Sequence, residues 1–214
     1  MKLIRKITAV LVTMAIAFSF AACSSAKADI SVDALTKAAK KYGAEERTDY
    51  KDMGIMTSRN AKPETIYYVA KDKDEATVLF KGTLGRMDFF PKYDLSAFAF
   101  AGSTEIGSDE KAHTNLIFLM VFADAKTADE AHELLKETYC NSEDAQTGTK
   151  GDYSYEIKGG EAASGTRKLC KGIYKQGNAV LYIEGQAAIK DSFKFDDSIC
   201  RDLGIISPSK AKFD

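Results

Sequence analysis

Leu116-Ile117-Phe118-Leu119-Met120-Val121-Phe122 is an unbroken apolar run. A strand with one wet face alternates apolar and polar residues, so this run predicts a strand covered on both faces. It is far shorter than the roughly 20 residues a membrane-spanning helix needs. Two amphipathic segments can cover its first face. For the second, helices near the two chain ends are candidates, as are a further strand or a partner subunit. Ser96-Ala97-Phe98-Ala99-Phe100 alternates in size instead of polarity, which puts Phe98 and Phe100 on one face as core aromatics.

The two amphipathic segments repeat each other. Asp74-Glu75-Ala76-Thr77-Val78-Leu79-Phe80-Lys81-Gly82-Thr83-Leu84 and Asp129-Glu130-Ala131-His132-Glu133-Leu134-Leu135-Lys136-Glu137-Thr138-Tyr139 match at six of eleven positions, 55 residues apart. In the second copy Ala131, Leu134, Leu135, Thr138 and Tyr139 form one helical stripe. Thr127 is its expected cap, and Asp129 and Glu130 meet the positive end of the helix dipole. Ala76, Leu79, Phe80, Thr83 and Leu84 form the same stripe in the first copy, where Thr77, Val78 and Gly82 lower helix propensity.

Strands are predicted at Ile66–Lys71, Leu95–Ala101, Leu116–Ala123 and Tyr153–Lys158. With the two helices between them the order is β-α-β-β-α-β, the ferredoxin-like pattern of an antiparallel sheet with two helices on one face. An extra hairpin, Leu169–Lys175 with Ala179–Gly185, turns at Gln176-Gly177-Asn178. An N-terminal helix runs from Ser31 or Val32 to Tyr42, with Leu35, Ala38, Ala39 and Tyr42 on one face and Gly43 as its stop. The segment Ile189–Leu203 becomes helical toward its end, with Gly204 as the stop and Pro208 beyond. The fold class is therefore α+β.

The first 22 residues are of another kind. Lys2, Arg5 and Lys6 precede an apolar run from Ile7 to Ala22, the pattern of an export signal. Phe20-Ala21-Ala22-Cys23 resembles a bacterial lipobox, in which cleavage exposes a cysteine that carries the lipid; Phe20 stands where Leu, Val or Ile is usual. Cys23 is thus the candidate lipidation site, and Ser24-Ser25-Ala26 behind it reads as a flexible tether. A diacylglycerol plus an N-acyl chain supplies the several buried chains that stable anchoring needs. The alternative is cleavage after Ala28, in the sequence Ala26-Lys27-Ala28, which releases a secreted chain beginning at Asp29. The expected organisation is a signal at 1–22, an anchored tether at 23–30, one domain at 31–206 and a tail at 207–214.

Composition narrows the partners. The leader holds three basic residues and no acidic one, so the formal charge of −1 for the whole chain becomes −4 without it. No basic face of the kind that binds a phosphate backbone is present, which argues against nucleic acid. Membrane association must come from Cys23 alone. Cys140, Cys170 and Cys200 read either as small buried hydrophobes or as one disulfide plus a free thiol. They have no metal-ligand spacing.

The leader ending Ala21-Ala22-Cys23, the segment Lys41-Tyr42-Gly43-Ala44-Glu45-Glu46 and the following Tyr50-Lys51-Asp52 resemble small lipoproteins of clostridia and related Gram-positive bacteria. So do Gly177-Asn178-Ala179-Val180-Leu181-Tyr182-Ile183-Glu184-Gly185 and Ile199-Cys200-Arg201-Asp202-Leu203-Gly204-Ile205-Ile206-Ser207-Pro208. Those proteins are largely uncharacterised, so the resemblance implies a location and a domain type, with no reaction and no site.

Catalytic constellations are sparse. His113 and His132 are the only histidines; His132 reads as a solvated helix residue and His113 as loop or strand entry. No nucleophile elbow, metalloprotease helix or Walker loop occurs. Asp72-Lys73-Asp74-Glu75 lacks the glycine and distal glutamate of a calcium loop and reads as a helix cap. In the loop 159–168, glycines free backbone N–H groups, and Gly165, Thr166, Arg167 and Lys168 form a candidate anion site; the alternative is a plain connection. No cofactor and no metal are implied. The expectation is a lipid-anchored extracytoplasmic binding or accessory domain, its partner an unknown protein or small molecule. One alternative is a small hydrolase using carboxylates such as Glu184 and Glu156. Another is an oligomeric structural module pairing through the apolar sheet.

Overall fold

The computed structural model describes residues 27–49, 62–83, 95–162 and 164–211. Four helices and eight strands occur in them: α1 (Val32–Lys41), β1 (Glu45–Glu46), β2 (Glu64–Val69), α2 (Lys73–Thr83), β3 (Leu95–Ile106), β4 (Ala112–Phe122), α3 (Ala125–Tyr139), β5 (Gln146–Lys150), β6 (Tyr153–Glu161), β7 (Arg167–Gln176), β8 (Ala179–Ala188) and α4 (Lys194–Asp202). The strands form one sheet in the order β1-β2-β3-β4-β8-β7-β6-β5. Every pairing is antiparallel except the two-residue parallel contact of β1 with β2, which makes the sheet mixed. The succession β2-α2-β3-β4-α3-β6 follows the expected element order, with the short strand β5 inserted ahead of β6. Pairing runs as two meanders, β2-β3-β4 and β5-β6-β7-β8, joined where β8 returns beside β4.

The apolar run is the inner strand β4, and it is covered on both faces. Phe118, Met120 and Phe122 pack with Phe98 and Phe100 of β3, Val180 and Tyr182 of β8, Ala76 and Leu79 of α2, and Ala128, Ala131 and Leu135 of α3. Ile117 and Leu119 face the other way, onto Leu35, Ala38 and Ala39 of α1 and Phe195 and Ile199 of α4. The terminal helices supply the second cover, giving a helix–sheet–helix sandwich.

Local chemistry sets the helix ends. Ser31 caps α1 by accepting from Ala34 N at 3.2 Å, and Gly43, at φ +81°, ends it in the left-handed region. Asp72 Oδ1 accepts from Glu75 N at 2.9 Å while Glu75 Oε2 accepts from Lys71 N at 2.7 Å, a reciprocal cap at the start of α2. The cap of α3 is Asp124, which accepts from Thr127 N at 2.7 Å, not Thr127 itself. A carboxylate one turn earlier satisfies the same orphan N–H groups and lengthens the helix. Its buried stripe is Ala128, Ala131, His132 and Leu135. That stripe is rotated from the expected one, because a 3.6-residue period fixes the spacing and leaves the phase to the sheet.

The packed body exceeds 31–206 at both ends. Ala28 and Ile30 are buried, held where Gln176 donates to Ala28 O at 2.9 Å and accepts from Ile30 N at 2.8 Å. Beyond Ile205, Tyr174 donates to Ile206 O at 2.7 Å, Tyr153 accepts from Ile206 N at 3.1 Å, and Ala211 reaches the core. Neither stretch carries a helical or alternating pattern, so periodicity could not reveal their burial.

Candidate functional site

Cys23 lies outside the described residues. The candidate anion loop is described except for residue 163, and it does not converge. Gly165 N is spent on Ala162 O at 2.8 Å, and Thr166 O accepts from Ile189 N at 3.2 Å. Arg167 and Lys168 are consecutive in β7, so their side chains leave opposite faces of the sheet. Lys168 lies over the Phe193 ring, 5.5 Å from its centroid. A turn holds the loop closed, and its two cations serve different faces.

The candidate carboxylates also stay apart. Glu156 of β6 is buried beside Lys136 at 3.7 Å, and burial pushes its carboxyl up against the pull of that lysine. Glu184 of β8 accepts from Tyr182 OH at 2.6 Å and faces Lys171 at 3.7 Å. Each has its own lysine, with β7 between their strands. His132 is buried rather than solvated. Its ring faces the sheet, Nε2 has no partner, and burial lowers its pKa. Cys140, Cys170 and Cys200 are buried free thiols, and burial pushes Cys140 up to about 12.

What the fold does assemble is a cavity of about 470 Å³ at one end of the sheet. Glu105 and Ile106 of β3 form one wall, His113 and Asn115 of β4 the floor, and the β8–α4 connection with Lys190 and Lys194 the far wall. The volume suits a small ligand, since such sites span roughly 300–1,000 Å³. Two contacts hold the walls. Asp191 accepts from Ser108 N at 2.7 Å, tying the β3–β4 turn to the β8–α4 connection. Asp109 sits 2.6 Å from His113 Nε2, and that hydrogen bond draws its carboxyl below the usual range. Gly107 lets the turn close over the His113 ring, where a Cβ would collide. Asn115 Oδ1 accepts from Gln186 N at 3.2 Å, bracing the floor against β8.

His113 is thus a fastening residue beneath a turn. Its Nδ1 is buried without a partner, so among the described residues nothing stands poised to be activated by it. Local reading missed this site because its walls lie some 80 positions apart in sequence. The available signal was the polar alternation of His113 and Asn115 just ahead of the apolar run.

Behind the cavity, under the first turn of α4, Asp196 is fully buried with both oxygens unpartnered. Burial drives its pKa far above the usual carboxylate range, and the charges of Asp197 and Glu105 push it further. Gly185 is required opposite it, since a Cβ there would collide with the Asp196 carboxyl and with Cys170 Sγ.

No helix among the described residues is long and apolar enough to cross a membrane. The chain matches no protein-family model and no curated protein. Among solved structures it is similar to the extracellular domain of PknH from Mycobacterium tuberculosis, at 12% identity and a TM-score of 0.37 over 72% of this chain and 89% of that one.

Proposed function

We propose that this chain is an extracytoplasmic lipoprotein, anchored through Cys23, whose domain binds a small polar ligand without transforming it. The observation that carries the binding reading is the cavity at the end of the sheet remote from the tether. The N-terminal segment is held by Gln176, where β7 turns into β8. The cavity lies at the other end of β8, ten residues on. At about 3.3 Å per residue this separates tether root from cavity by roughly 30 Å. An acyl chain on Cys23, four residues before Lys27, holds the first end at the bilayer and presents the second away from it. Export signal and lipobox support the anchoring; the loops at the cavity support binding. Among the described residues no nucleophile is paired with His113, and Glu156 and Glu184 have separate lysines; both features favour binding over hydrolysis.

Two measurements test this reading. Cells expressing the chain should incorporate labelled palmitate, and Cys23→Ala should abolish it; unchanged labelling, or a native N-terminus at Asp29, overturns the anchor. A fragment library screened by NMR against the mature chain should shift resonances of His113, Asn115 and Lys194; hits confined to other regions overturn the cavity as the binding site.

A further inference from the structure

Three charged side chains of the cavity stand unpaired. Glu105 is half-buried in the β3 wall, and Lys190 and Lys194 lie on the opposite connection. Among the described residues none of these three side chains makes an ion pair or hydrogen bond. Glu105 belongs to β3, whereas Lys190 follows β8 and Lys194 opens α4, so β4 runs between the elements that carry the opposite charges. Elsewhere the molecule brings such charges together: Lys175 reaches Asp129 at 2.7 Å and Arg47 reaches Glu64 at 2.9 Å. The other acid of the cavity, Asp191, is engaged by Ser108 N, and Asp109 is engaged by His113. What remains is one carboxylate facing two ammonium groups across a concave floor.

From this juxtaposition we infer that the cavity takes a zwitterion, a short molecule with an ammonium group at one end and a carboxylate at the other. The ammonium is received by Glu105 and the carboxylate by Lys190 and Lys194. The inference rests on the cavity as the binding site and adds the ligand class. A free-ended dipeptide, with its two charges several bonds apart, is the simplest molecule of this class with a body to fill the space between them. Asn115, 3% exposed on the floor, supplies a polar group between the two ends. Ile106 and Ile189 are 54% and 37% exposed; Ile106 lines the cavity and Ile189 adjoins Lys190, so apolar surface is available for the ligand's body. The half-buried Glu105 carboxylate discriminates by charge, because an uncharged ligand end leaves it desolvated and unmatched, and the two exposed lysines add Coulomb attraction for the carboxylate end.

The test is titration of the mature chain, by NMR and calorimetry, with glycylglycine, N-acetylglycylglycine, glycylglycinamide and 5-aminopentanoate. Glycylglycine should shift His113 and Asn115 resonances, and each capped form should bind at least tenfold more weakly. Glu105→Gln should abolish discrimination against the acetylated form only. Lys190→Gln with Lys194→Gln should abolish discrimination against the amide only. Binding of 5-aminopentanoate as tightly as glycylglycine assigns recognition to the two charges; much weaker binding assigns a share to the peptide group. Capped forms binding as well as glycylglycine overturn the inference and leave the cavity a binding site. No response at cavity residues to any of the four overturns the inference as well. The fragment screen then decides separately whether the cavity binds at all.

Discussion

Around β3 and β4 the two faces of the sheet are built differently. On the α2/α3 face the strands present large rings: Phe118 lies 5.3 Å from Phe100, 6.4 Å from Phe98 and 6.1 Å from Tyr182, which in turn stacks on Tyr139 at 4.7 Å. On the α1/α4 face β3 presents Ala99 and Ala101, and α1 answers with Ala38 and Ala39. Around Phe118 one layer gains stability from aromatic area, and where α1 meets β3 the other gains it from close approach of a helix to small side chains; at β6 and β7 that second layer is aromatic too, with Tyr153 6.4 Å from Tyr174. The same strand serves both because successive residues point to opposite sides. Polar groups follow the contrast. The α2/α3 face carries Glu156 next to Lys136, whereas the α1/α4 face carries Asp196, whose carboxyl oxygens have no hydrogen-bond partner among the described residues.

Substitutions in opposite directions should therefore break the two faces. Phe118→Ala leaves a large void among rings that cannot close over it, and should cost about 3–5 kcal/mol in a denaturant titration. Ala99→Leu inserts bulk where α1 lies against β3, and should cost about 1–3 kcal/mol; exchanging the two mutations' relative effects would refute the contrast. Asp196→Asn sharpens it through pH. The folded protein keeps the Asp196 proton that the unfolded chain releases, so the contribution of Asp196 to stability is greatest below the usual carboxylate range. It declines as pH rises until the folded carboxyl itself ionises, by at most about 1.4 kcal/mol per pH unit. Asp196→Asn should remove that slope and be the more stable protein at neutral pH, with the two converging in acid; parallel stability curves would refute it. The smallest effect is expected on the aromatic side, where Asp124→Ala removes the α3 cap at a cost of about 1 kcal/mol.

Much of the architecture was legible from pattern. The β4 run lacked polar residues, and it is the strand with helices on both sides. Ser31, Gly43, Gln176-Gly177-Asn178 and Gly204 marked real boundaries, because caps and turns depend on φ preferences and side-chain oxygens that act within four residues. The facing of α3 was not legible. His132 and Leu134 differ by about half a turn, and only the position of the sheet decides which is buried. The anion loop shows a related limit of local reading: neighbouring Arg167 and Lys168 look like one cluster in text and occupy two faces in a strand. The short edge strands β1 and β5 escaped notice because neither carries an apolar alternation.

By itself the sequence determined the element types and the double cover of β4, both properties of local periodicity and short-range chemistry. Only the tertiary structure decided that Glu105, His113, Asn115, Lys190 and Lys194 share one cavity and that Asp196 lies dry beneath α4. Those relations depend on which strands become neighbours, and strand order is set by long-range packing that no local pattern encodes.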